Sequence, residues 1–143
     1  MATVRAYGPG VMSLLSKEIN WLTDTIKVAL VADGYVPDQD THRYFSSVVA
    51  SEAAGTGYSA GGATLASKTM VYTAVTNSVT LSCVDPTWGG TSITYRYAVF
   101  YMSTGTAATS PLIAYVDLGV TTTVVANIQL VIPAAGLLQY VVA

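Results

Sequence analysis

The residues best equipped for chemistry lie together in Asp38-Gln39-Asp40-Thr41-His42, where two carboxylates and the single histidine of the chain alternate over five positions. On an extended segment, side chains two apart face the same way, so this spacing could offer oxygen and nitrogen ligands to a divalent cation. The glycine turn and distal Glu of an EF-hand loop do not follow, and the alternative is a solvated loop in which an Asp caps the next turn. Elsewhere the inventory is thin. Cys83 is the only cysteine, which excludes an internal disulfide framework, and one Cys with one His makes no zinc set. It falls in phase with Val79 and Leu81, the place of a small core residue and not of a nucleophile. A serine triad could be assembled only by choosing arbitrarily among many serines, because no Gly-x-Ser-x-Gly elbow singles one out. The run from Gly55 to Gly62 holds four glycines but continues Gly61-Gly62-Ala63-Thr64, without the Gly-Lys-Ser/Thr that ends a phosphate loop. No catalytic, cofactor-binding or metal-binding residue is assigned, and neither a cofactor nor an enzymatic activity is expected.

The chain that carries these groups has 143 residues, the size of one domain spanning 1–143. Charged residues make up 10%, against roughly 25% in an average globular domain. The hydrophobic fraction is 52% and the mean hydropathy +0.49, yet apolar stretches such as Val28 to Ala32 run to only about five residues. A membrane helix needs roughly 20, so no membrane segment is expected. The start, Met1-Ala2-Thr3-Val4-Arg5, has no basic region leading into an apolar core, and no secretory signal is expected. A net charge of −2 argues against a nucleic-acid footprint. An uncharged surface suits close neighbours, as in a subunit of a larger assembly. A plain β domain with Thr-rich strands would have the same composition.

One amphipathic helix is expected over residues 10–22, entered through Gly8-Pro9-Gly10, with Val11, Met12, Leu14, Leu15, Ile19 and Leu22 on one face. That face must pack on the chain's own sheet or on a neighbouring subunit. From Thr25 the period changes to two, as in a half-buried strand. A long loop begins at Asp33, and residues 41–49 read as a short helical turn or as a strand at 44–49. Further strands are expected over 66–75, 78–84, 93–102, 111–118, 122–132 and 137–142, the first two joined at Thr76-Asn77. The fold class is mainly β, an antiparallel sandwich or barrel-like domain with one N-terminal amphipathic helix. Residues 1–9 read as an N-terminal arm and 120–143 as extra strands or a C-terminal arm. In the strand 93–102, alternation places Tyr95, Tyr97, Val99 and Tyr101 on one face, opposite Arg96, Ala98, Phe100 and Met102. Arg96 then reaches Asp85 or Asp117, or extends to an edge. Tyr58, among the glycines, either anchors that loop or packs on a neighbouring subunit. The ten tyrosines and two tryptophans suit core pairs or a carbohydrate-stacking surface.

Four strings taken together carry a resemblance: Trp21-Leu22-Thr23-Asp24-Thr25-Ile26-Lys27-Val28-Ala29-Leu30, Tyr35-Val36-Pro37-Asp38-Gln39-Asp40-Thr41-His42-Arg43-Tyr44-Phe45-Ser46, the run Gly55 to Gly62, and Gly105-Thr106-Ala107-Ala108-Thr109-Ser110-Pro111-Leu112-Ile113-Ala114-Tyr115-Val116-Asp117. Over roughly residues 7–120 the chain resembles a family of small structural proteins that tailed bacteriophages encode among their virion genes. The resemblance implies a non-enzymatic virion component. It would be a capsid decoration (cement) or minor capsid protein that binds the major capsid protein, sits on the capsid surface, and passes through the host cytoplasm during assembly. The alternative is a tail- or fibre-associated virion protein with an adhesive role. A homo-oligomer, trimer or dimer, would multiply the contacts, with no membrane and no direct nucleic-acid partner. Contact candidates are residues 2–9, 33–45, 55–62 and 103–110, all read as loops or termini. An enzyme or small-ligand binder would have to use His42 and its neighbouring aspartates.

Overall fold

The computed structural model describes residues 2–142. Its elements are β1 (Thr3–Ala6), α1 (Gly8–Leu15), β2 (Ile26–Val31), β3 (Ala63–Thr64), β4 (Thr69–Thr73), β5 (Ser78–Ser82), β6 (Thr87–Met102), β7 (Leu112–Gln129) and β8 (Leu138–Val141). They form an antiparallel five-stranded sheet in the order β1-β7-β6-β2-β3 and an antiparallel three-stranded sheet in the order β4-β5-β8. The arrangement is sandwich-like, and no closed barrel forms among the described residues.

Strand β2 shows why the larger sheet is covered twice. Ile26, Val28 and Leu30 point into a cluster with Trp88, Ile93, Phe100, Ile113 and the three-stranded sheet's Leu81 and Leu138. Ala29 and Val31 point the other way, into a cluster with Tyr97, Val99, Tyr101, Tyr115 and the loop residues Tyr35, Phe45 and Val48. With both faces shielded, β2 reads as a continuous apolar run and is buried at five of its six positions. Full burial of each Leu, Ile or Phe side chain here contributes about 1.5–3 kcal/mol. The second layer over the Ala29 face is the long loop with its two 3-10 turns, Phe45–Ser47 and Val49–Ser51, and Phe45 stacks on Tyr101 with ring centroids 4.0 Å apart. Residues 41–49 thus supply a helical turn, and within 44–49 only an isolated bridge from Tyr44 to Pro111 is of strand type.

Four sequence expectations are corrected. Residues 3–6 are not a loose arm: they pair with β7 from Thr3 opposite Asp117 to Ala6 opposite Ala114. The helix covers Gly8–Leu15 and not 10–22. Lys17 adopts φ 66, and beyond it Asn20 and Asp24 trade side-chain and backbone hydrogen bonds that compete with helix continuation. The expected strands 111–118 and 122–132 are one strand, β7, interrupted where residues 118–121 bulge opposite Arg96. At that bulge Tyr95 changes sides and joins Ala98 and Phe100, so it does not share a face with Tyr97 and Tyr101. The extra strands expected within 120–143 are the end of β7 and β8. Met1 and Ala143, the outermost residues of the expected arms, lie outside the described residues.

Candidate interaction surface

Helix α1 is turned against the usual rule. Gly10 and Ser13 are its buried residues, while Met12 is 72% and Leu15 81% exposed. The cause is a close backbone approach: a Cβ on Gly10 would collide with the carbonyl oxygen of Leu112 and lie 2.9 Å from that of Ile113. Ser13 is satisfied there by donating to the Glu18 carboxylate at 2.6 Å, which also accepts from Arg43 at 3.1 Å. The Ser13 hydroxyl and then the Arg43 guanidinium hold the Glu18 carboxyl below the ordinary range. Small residues face the sheet, Leu14 packs part-buried on the core, and Met12 and Leu15 face outward.

Outward of α1 runs a groove of about 650 Å³ between the helix and the three-stranded sheet. Val11, Leu14 and Leu15 form one wall, Met70, Val79, Tyr140 and Val142 the other, with Ile19, Trp21 and Leu81 between them. Lys17 is the only charged residue lining it. Trp21 is fixed by donating its indole N–H to the Thr69 carbonyl at 2.9 Å. The Tyr140 hydroxyl is buried without a hydrogen-bond partner among the described residues. Around this groove the apolar surface continues: Met70, Val71 and Tyr72 of β4 are each more than half exposed, as are Val141 and Val142, and Val75 at the β4–β5 turn is 95% exposed.

The loops proposed as contacts prove to be strapped to the body. In residues 55–62, Tyr58 donates to the Glu52 carboxylate at 2.6 Å and accepts the Leu30 N–H at 3.0 Å, while Gly61 N–H also reaches Glu52. Tyr101 donates to the Gly61 carbonyl at 2.8 Å. Gly62, at φ 75, passes so close to the Val28 carbonyl that any Cβ would clash. These glycines serve backbone contact within the chain. Tyr58 is therefore the anchor of its loop. In residues 103–110 a hydroxyl network links Thr104, Thr109 and buried Ser110.

His42 does not converge with its aspartates. Tyr7 hydrogen-bonds Tyr35 at 2.8 Å, and Tyr35 hydrogen-bonds His42 Nδ1 at 2.9 Å, with the two rings stacked. Asp38 instead accepts the N–H groups of Asp40 and Thr41 at 2.9 and 3.0 Å, an Asx turn that stops the segment from being extended. Contacts from Thr41 and these N–H groups lower the Asp38 carboxyl. The described residues hold no group of three or more His, Cys, Asp or Glu side chains arranged for a metal. Cys83 is half-buried against the core, and burial pushes its thiol up to about 11, away from thiolate chemistry at neutral pH. Arg96 selects Asp117, Nε to Oδ1 at 3.1 Å and Nη2 to Oδ2 at 3.3 Å, and Asp117 also takes the Gly119 N–H at 2.8 Å. This pair braces the β7 bulge.

The groove was not singled out by sequence reasoning. The signal was available as Gly10 and Ser13 at a spacing of three, a small-residue stripe that lets a helix approach a sheet closely. Comparison with protein-family models, curated proteins and solved structures gives no match, so the surface is read from its own chemistry.

Proposed function

We propose that this protein is a non-enzymatic bacteriophage virion component that binds the major capsid protein and stabilises the shell, with α1 and the three-stranded sheet as its docking face. The observation that carries the docking face is the outward exposure of Leu15 on the wall of an apolar groove, with Met12 exposed on the same helix. The resemblance of residues 7–120 supplies the partner. A shell strained by packaged DNA gives way at subunit seams, and a small rigid protein seated across a seam adds buried area to both neighbours. Repetition over the symmetric shell turns a modest contact into a large total. The tail-adhesion alternative asks for a solvent-facing aromatic cluster. Among the described residues Tyr72 is the one aromatic more than half exposed, while Trp21 and Trp88 are buried, which favours the shell.

The test is the variant Leu15→Asp, with Met12→Asp beside it, in shell-binding assays. Both side chains are exposed, so stability in urea should stay within about 0.5 kcal/mol of the parent. Affinity for shells should fall at least tenfold, about 1.4 kcal/mol or more. Unchanged affinity in both variants overturns this docking face.

A further inference from the structure

The two sheets have four outer edges besides the far halves of β6 and β7, and the chain shortens or caps each of them; residues 87–95 of β6, on the side away from β7, meet the glycine loop through the Ser92–Thr56 bridge. Strand β1 has four residues and carries Arg5; β3 has two residues. Strand β4 has five, but the Thr69 carbonyl is taken by Trp21 and Lys68 is tied to the Asp24 carbonyl. Strand β8 has four. Strand β7 differs. Its pairing with β1 stops at Asp117, and its pairing with β6 continues from Thr122 to Gln129. On the side away from β6, residues 122–129 have no backbone partner among the described residues.

These eight positions read Thr-Thr-Val-Val-Ala-Asn-Ile-Gln, without a charge or a proline to discourage pairing. Thr123, Val125, Ala126, Asn127 and Gln129 are exposed, Val125 by 75%. We propose that this edge pairs with the same edge of a second copy, antiparallel about a two-fold axis, joining two five-stranded sheets into one ten-stranded sheet. An antiparallel pair of this length forms about eight main-chain hydrogen bonds, close to the roughly ten of a standard protein interface. Two-fold pairing centred on Val125 sets Val125 opposite Val125, Thr122 opposite Ile128, Val124 opposite Ala126 and Thr123 opposite Asn127, with no like charges along the ladder. Charge appears at the ends, where Asp33 accepts from Thr121 beside the mutually neutralised Arg96–Asp117 pair, and Asp85 accepts from Gln129. Antiparallel pairing brings the Asp33 end of one copy toward the Asp85 end of the other, so association should tighten with added salt.

The experiment is sedimentation equilibrium of the full chain at rising concentration and at low and high salt, with hydrogen exchange read over residues 122–129. The expected result is a dimer that tightens with salt, with amide protection in 122–129 that grows with protein concentration. The double variant Thr123→Lys, Val125→Lys sets four ammonium groups together in the dimer while both side chains face solvent in the monomer. It should weaken association at least tenfold with an unchanged circular dichroism spectrum. A parent chain that stays monomeric, concentration-independent exchange, or a folded double-lysine variant that dimerises like the parent overturns the proposal. This edge lies outside the groove, so Leu15→Asp should leave the dimer intact.

Discussion

At the scale of single residues, the Glu52–Tyr58–Leu30 link does the most for local order. Removing the Tyr58 hydroxyl in Tyr58→Phe strands the Leu30 N–H and takes one donor from the Glu52 carboxylate. Urea unfolding should register a loss of about 1–3 kcal/mol with an unchanged m-value. The phenols also set an alkaline limit. Burial pushes Tyr35 and Tyr101 up to about 12, from the ordinary value near 10. Between those values the unfolded chain has released protons that the folded chain retains, so stability falls as pH rises. The contribution of these groups is whole below pH about 10 and disappears through pH about 12, and the urea midpoint measured across this range should drop accordingly. Sequence reading offered Tyr58 either as an anchor of its loop or as a contact with a neighbouring subunit, of which the structure shows the first, and it kept Asp117 among the partners of Arg96. It did not reach Tyr35 as the partner of His42. That contact depends on the turn made by Asp38, which alternation along an extended segment cannot express.

At the scale of elements, α1 is the instructive case. Its apolar periodicity is real, but periodicity weighs side-chain type and not the distance at which backbones meet. Gly10 and Ser13 let the helix approach β7 closely, and Met12 and Leu15 are left outside. Gly10→Ala should lift the helix from the strand and cost about 1–3 kcal/mol of stability by overpacking, seen as a lower melting temperature. Leu15→Ala, at an exposed site, should leave melting almost unchanged. The strands were legible where one face was polar, and β5 and β8 fall within their expected bounds. Strand β7 was not legible as one element, since Gly119 at φ 78 and the four-residue bulge look in sequence like a turn. The joining of the two halves depends on β6, a partner about 25 residues away in the chain.

At the scale of the whole molecule, a chain with 10% charged residues spends its polar capacity on internal straps and leaves two sparsely charged surfaces outside. One is the apolar groove beside α1, and the other is the open edge of β7. The mainly β fold with one N-terminal helix was legible from period and turn spacing. Neither surface was legible, because each is made by segments distant in sequence: residues 11–21 with 70–81 and 140–142, and residues 122–129 of β7, which pair with β6 and have no second neighbour among the described residues. The most direct measurement is cosedimentation of the purified protein with empty, DNA-free capsids and, separately, with isolated tails of the phage proposed to encode it. Saturable binding to capsids at a fixed ratio to the shell subunit, lost in Leu15→Asp, is the predicted result. Binding to tails alone, or to neither particle, would contradict the account.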